Sequence, residues 1–120
     1  MSRARVLVLE DEPLIAMLIQ DWLEDLGCEV VGPALTVVQA LTLIEQKKPD
    51  AAILDISVGA TDSSPVADEL RMRNVPYAFA TGRDGSGIAS RHATAPILAK
   101  PYDQAGIQSV LSELLSAQRK

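Results

Sequence analysis

Residues 6–13 of this 120-residue chain read VLVLEDEP, so four apolar side chains are followed by three acids and a proline. A short apolar run of this kind is typical of a strand that is buried on both faces of a parallel sheet. Three later runs follow the same plan: AAIL at 51–54 before Asp55, YAFA at 77–80 before Thr81, and PILA at 96–99 before Lys100. Because parallel strands end at one edge of their sheet, the polar residues after the four runs are expected to converge there.

The stretches between these runs have helical periodicity. A first helix is expected from Pro13 to about Leu26, and a second one begins at the N-cap Thr36. The stripe of the first helix that should face the core consists of Ile15, Leu18, Ile19, Trp22 and Leu26. Three further helices are expected: one over 66–73, a short or frayed one within 82–94, and a last one along an apolar stripe that begins at Ile107.

A short strand over 29–32 completes a set of five, and residues 57–65 are expected to form a loop. Strands and helices therefore alternate along the whole chain. This alternation predicts an α/β fold, a doubly wound five-stranded parallel sheet of flavodoxin-like order 2-1-3-4-5 with helices on both faces.

The composition favours a single globular domain over residues 1–120, without an output domain. Hydrophobic residues make up 48% of the chain and aromatic residues only 3%, which indicates an aliphatic core. The formal net charge of -5 disfavours a nucleic-acid-binding surface, and no stretch resembles a membrane span or a signal peptide. Cys28 is the only cysteine, so we expect a buried apolar role for it in a protein of the reducing cytoplasm.

The acids at the strand ends predict a metal site. Glu10, Asp11 and Asp55 would bring three carboxylates together, and a hard divalent cation such as Mg²⁺ relieves their mutual repulsion. No His or Cys belongs to this group, which disfavours zinc. The alternative is three separately solvated loop acids.

Asp55 follows the central strand and is therefore the natural nucleophile of the group. A carboxylate can attack a phosphoryl group and form an aspartyl phosphate. Lys100 would supply a positive charge to the phosphoryl oxygens, and Thr81 would supply a hydroxyl. Taken alone, these two residues would be an ordinary surface lysine and an ordinary strand end. Their interpretation depends on the shared sheet edge.

The segments VLVLEDEP, ILDIS, AFATG and ILAKP, in this order and spacing, resemble the receiver domain of bacterial two-component response regulators. The resemblance covers essentially the whole chain. The Phe-Ala-Thr-Gly segment is most similar to that of a subgroup of stand-alone receivers.

The resemblance implies a role for each residue of the site. Asp55 would be the phosphoacceptor for a sensor histidine kinase or a phosphotransfer protein. Glu10, Asp11 and Asp55 would hold Mg²⁺ (or Mn²⁺), with the backbone carbonyl of Ser57 as a further ligand. Thr81 would be the switch hydroxyl, and Lys100 would pair with the phosphoryl group.

Several positions depart from the family pattern. Glu10 stands where Asp is more usual, and Ile97 stands where many receivers have the aromatic residue that moves with the switch hydroxyl. Tyr102 is either a substitute for that aromatic residue or an ordinary packing residue. Arg83 lies either near the phosphoryl group, where it would slow attack by water, or in solvent. His92 is expected to be exposed.

Signalling through partner proteins is the function that the resemblance implies, either as an adaptor or as a phosphate sink. The surface of the fourth and fifth predicted helices is expected to contact a downstream protein or a second copy of the chain. Two alternatives remain open: an aspartate-nucleophile phosphohydrolase and a docking module that is independent of phosphorylation. Ser57 argues against the hydrolase, since such enzymes place a second carboxylate two residues after the nucleophile.

Overall fold

The computed structural model describes residues 3–58, 61–81, 92, 95–99 and 103–118. In chain order, the strands are β1 (Arg5–Leu9), β2 (Glu29–Ala34), β3 (Ala51–Asp55), β4 (Ser57–Val58), β5 (Thr61–Asp62), β6 (Tyr77–Thr81) and β7 (Ile97–Ala99). Five of them form a parallel sheet of order β2-β1-β3-β6-β7, while β4 and β5 pair with each other. The predicted fold class and strand order are confirmed.

Four helices are described: α1 (Pro13–Asp25), α2 (Val37–Lys47), α3 (Ser64–Met72) and α4 (Gln104–Gln118). Helices α1 and α4 pack on one face of the sheet, and α2 and α3 pack on the other. The predicted N-cap of α2 is confirmed, because the Thr36 hydroxyl accepts a hydrogen bond of 3.1 Å from the backbone N–H of Gln39. None of the described helices is long and apolar enough to cross a membrane.

The central strands bury side chains on both faces of the sheet. On β1, Val6 and Val8 face the α1 and α4 layer, while Leu7 and Leu9 face the α2 and α3 layer. All four are buried, and each contributes roughly 1.5–3 kcal/mol to folding through loss of apolar surface to water. This two-sided burial explains why the strand sequence is continuously apolar and not alternating.

Some boundaries differ from the predictions. Strand β2 extends to Ala34 and includes Pro33, which is tolerated because β2 lies at the edge of the sheet. The expected loop contains the β4–β5 hairpin. Helix α3 starts at Ser64, two residues early, since Asp62 accepts a hydrogen bond of 2.8 Å from the Ser64 N–H and Pro65 suits a first turn.

Helix α1 packs on the sheet through most of the predicted stripe, since Ile19 is buried in the core and Ile15, Trp22 and Leu26 pack against it. Its buried residues are Ala16, Ile19 and Leu23, whereas Leu18 is exposed to solvent. Successive residues lie about 100° apart around a helix, so Leu18 is turned away from the face that contains Ile19. The prediction that Leu18 belongs to the core is therefore wrong. The core positions predicted for the last helix, which begin at Ile107, are confirmed.

Candidate functional site

The register of the sheet determines which polar residues meet at its carboxyl edge. Leu9, the last residue of β1, pairs with Leu54 of β3, so the next residues along the two strands are Glu10 and Asp55. Asp55 in turn pairs with Ala80, one residue before Thr81. Three strands thus bring an acid, an acid and a hydroxyl to adjacent positions, as predicted from the apolar runs.

Glu10, Asp11 and Asp55 form a compact group of carboxylates. One oxygen from each lies within 4.8 Å of the others. Glu10 and Asp55 are buried, while Asp11 is exposed. The backbone holds Glu10 on both sides: its N–H donates to the Ala34 carbonyl at 3.0 Å, and its carboxylate accepts from the Glu12 N–H at 3.2 Å.

The chemistry of this group fits a hard divalent cation. Mg²⁺ and Mn²⁺ prefer oxygen ligands, and Mg²⁺ is commonly bound by one or two carboxylates while keeping several waters. Three carboxylates at this separation repel one another, and a cation between them offsets the repulsion. The side chains that form the group include neither His nor Cys, so its donors do not favour zinc.

Thr81 is the last residue of β6 and is buried. The backbone N–H of Ile56 donates to the Ala80 carbonyl at 3.3 Å, which extends the pairing of β3 and β6 past Asp55. Asp55 and Thr81 are therefore held on neighbouring strands by continuous backbone pairing. A hydroxyl at this position can donate a hydrogen bond to an oxygen atom carried by Asp55.

The structure describes only some of the remaining predicted site residues. Ser57 opens β4 and pairs with Asp62. Ile97 begins β7, pairs with Phe79 and is 44% exposed. Arg83, Lys100 and Tyr102 lie outside the described residues. The helix predicted within 82–94 also lies outside them, apart from His92.

His92 is buried, so its predicted exposure is wrong. Its Nε2 lies 2.7 Å from Oδ1 of Asp68, and its Nδ1 is hydrogen-bonded to the Tyr77 hydroxyl. The ring also makes edge contacts with Tyr77 and Phe79, at centroid distances of 5.4 and 6.1 Å. The sequence offered no local signal for this burial, since Tyr77 and Asp68 lie 15 and 24 positions away from His92.

The family model of the response regulator receiver domain matches residues 6–112. The chain belongs to this receiver family. Receivers generally are phosphoacceptors and not enzymes: they are phosphorylated on Asp and bind Mg²⁺ through an acidic pocket. The acid group of this receiver has the composition that such a pocket requires.

Individual relatives agree with this assignment. The phyllosphere-induced regulator PhyR of Methylorubrum extorquens is 34% identical over 118 residues, which are 95% of this receiver and 44% of PhyR. The solution structure of SdrG from Sphingomonas melonis Fr1 is 39% identical with a TM-score of 0.80, and each chain is covered completely. The crystal structure of PhyR from Brucella abortus is 30% identical with a TM-score of 0.85, covering 98% of this receiver and 50% of that chain. The receiver spans about half the length of such curated relatives.

Proposed function

We propose that this receiver accepts a phosphoryl group on Asp55 from a phosphohistidine, carried by a sensor histidine kinase or a phosphotransfer protein. The observation that carries the proposal is the convergence of Glu10, Asp11 and Asp55 at the carboxyl edge of the sheet, within 4.8 Å of one another. The reaction depends on Mg²⁺ or Mn²⁺ and takes place in the cytoplasm. The chain acts as a single receiver domain and not as an enzyme.

In the proposed reaction, a carboxylate oxygen of Asp55 attacks the phosphorus atom. The new O–P bond forms as the P–N bond to the donor imidazole breaks, and the electron pair of that bond stays on the imidazole nitrogen. Glu10 and Asp11, together with the Ser57 carbonyl, would hold the metal ion, which neutralises charge on the phosphoryl oxygens. Thr81 would donate a hydrogen bond to one phosphoryl oxygen, and Lys100 would place its ammonium group beside another.

The acyl phosphate would also form from small phosphodonors and would be lost by hydrolysis, both without a partner. Phosphorylation adds a dianion beside Thr81, and this local change in charge is the signal. The readout is a contact made by the face that includes α4. Its partner is either a downstream protein or a second copy of the chain. A phosphate-sink role would use the same chemistry without a readout.

An apolar surface next to the acids fits a docking site for the phosphodonor. Three apolar residues of α1 are exposed to solvent: Leu14 by 77%, Met17 by 59% and Leu18 by 46%. Met17 is a long apolar residue at a helical position, where packing against the core is the usual role, so its exposure is notable. Leu14 lies only three residues after Asp11, in the first turn of α1. A neighbouring group of exposed apolar side chains is a feature of protein interaction sites. We propose that the donor protein binds α1 while its phosphohistidine reaches Asp55.

One experiment separates this function from the two alternatives. The chain is incubated with Mg²⁺ and acetyl phosphate, and its intact mass is measured over time. We expect one phosphoryl adduct, which is absent in Asp55→Ala and retained in Asp21→Ala, an exposed acid on α1 that serves as the matched control. Sustained turnover of phosphomonoesters would instead indicate a phosphohydrolase. Absence of an adduct at any Mg²⁺ concentration would indicate a docking module and overturn the proposal.

A further inference from the structure

His92 joins three separate parts of the fold. Its imidazole is completely buried, while its partner Asp68 is on α3 and its partner Tyr77 begins β6. We propose that His92 is a positioning residue that couples the phosphoryl site to α3, in place of an aromatic residue at position 97. The inference rests on the proposed function, because it takes Thr81 as the residue that responds to phosphorylation.

The coupling would run along one face of β6. Side chains alternate across a strand, so Tyr77, Phe79 and Thr81 lie on the same face. Ala78 and Ala80 belong to the core on the opposite face, while Phe79 belongs to the core that contains α2 and α3. His92 packs edge-on against both aromatic rings of this row. A displacement of β6 at Thr81 would therefore reach His92 through Tyr77 and Phe79, whose rings contact each other and the imidazole.

The hydrogen bonds give His92 a defined orientation. A carboxylate can only accept, so the Nε2–H of His92 donates to Asp68. In the neutral ring, Nδ1 is then left as the acceptor for the Tyr77 hydroxyl. One imidazole thus binds α3 with one nitrogen and β6 with the other. A shift of β6 relative to α3 has to stretch one of these two bonds or carry α3 along.

Position 97 supports the same conclusion. Ile97 pairs with Phe79 across the sheet, but its side chain is 44% exposed, and it carries no aromatic ring or polar atom for a switch. His92 has both an aromatic ring and two polar atoms, and it is buried against β6. Of the side chains described around β6, it is therefore the one suited to follow a movement of Thr81.

The test uses the fact that His92 is the only histidine of the chain. Protein with ¹⁵N-labelled histidine gives the two ring nitrogen signals of a single imidazole, so no assignment is needed. We expect both signals to shift when Mg²⁺ and beryllium fluoride, a phosphoryl mimic, are added. Amide hydrogen exchange of α3 is measured under the same conditions and should change with the mimic.

Asp68→Asn should abolish the exchange response of α3 while leaving the acetyl phosphate adduct on Asp55 intact. Glu69→Gln is the matched control: Glu69 is the next residue of α3, it pairs with Arg73, and it should behave as wild type. If the adduct forms but the imidazole signals of the wild-type chain stay unchanged with the mimic, the coupling role of His92 is wrong and the phosphoacceptor function stands. An equal α3 response in wild type and Asp68→Asn would also overturn it. Failure of the adduct itself would contradict the proposed function.

Discussion

Nε2 of His92 donates a hydrogen bond of 2.7 Å to Oδ1 of Asp68, across 24 positions of the chain. This bond joins His92, which lies five residues before the start of β7, to α3. Glu69 on α3 and Arg73, the residue that follows the helix, also lie 2.7 Å apart, but they are one turn apart and both are partly exposed. The two contacts have the same length and very different surroundings, so they should contribute differently to stability.

Replacement of His92 by Ala should lower the free energy of unfolding by about 2–4 kcal/mol, because a fully buried ring with two partly buried hydrogen bonds is lost and a cavity is left. Glu69→Ala removes an exposed pair between neighbouring helical turns and should cost only about 0.3–0.5 kcal/mol. Urea unfolding of the two variants measures the difference. Equal destabilisation would show that burial of His92 contributes little.

Mg²⁺ should raise the melting temperature, since a cation bound by Glu10, Asp11 and Asp55 stabilises only the folded state. At 100 times its dissociation constant the ion would add about 2.7 kcal/mol. Asp11→Asn should nearly abolish this shift. In EDTA, where no ion is bound, the same substitution should change the melting temperature less than it does in Mg²⁺.

Differential scanning calorimetry in EDTA and in excess Mg²⁺ tests both parts of this prediction. Asp21→Asn, an exposed acid distant in sequence from the cluster, serves as the control and should keep the full shift. Identical melting curves for the wild-type chain in EDTA and Mg²⁺ would contradict metal binding at this site.

The sequence contained enough information to predict the sheet and the convergence of its acids. The four apolar runs identify their strands because two-sided burial demands continuous apolar side chains, and parallel pairing then brings Glu10 and Asp55 to one edge. The β4–β5 hairpin was missed because it has two residues per strand and no hydrophobic period. His92 was misplaced because its burial depends on Asp68 and Tyr77, and a contact between distant positions leaves no local periodicity.

The sequence predicted most of the buried side of α1 and misplaced only Leu18, at its edge. Leu14, Met17 and Leu18 are apolar at helical spacing, and only the packing of Ile19 and Leu23 on the sheet shows that they face outward. When a helix carries apolar residues on two sides, the apolar pattern alone does not show where the buried side ends. The second side is the one available to a partner.

Replacing Leu14 and Met17 by Asp should reduce phosphotransfer from a phosphorylated donor protein by roughly tenfold or more, equivalent to about 1.4 kcal/mol of lost binding. Phosphorylation by acetyl phosphate should be unchanged, because the small donor needs no docking surface. Met72→Asp is the matched control, since Met72 is 79% exposed but lies on α3. A loss of both reactions in the α1 variant would point to damage of the site and would argue against a docking surface.

Cys28 provides a prediction about pH that is independent of the site. Burial raises the pKa of the Cys28 thiol above its ordinary value of about 9.0. Because the folded state holds this proton more tightly than the unfolded state, the contribution of Cys28 to stability is fully present below pH 9 and is lost as the pH rises through the folded-state pKa. Urea unfolding between pH 7 and about pH 10.5 should therefore show a decline in the free energy of unfolding that is smaller in Cys28→Ala.

Iodoacetamide should alkylate the native thiol of Cys28 far more slowly than the thiol of the urea-unfolded chain. Equal rates at pH 8 would show that the thiol is accessible in the folded state.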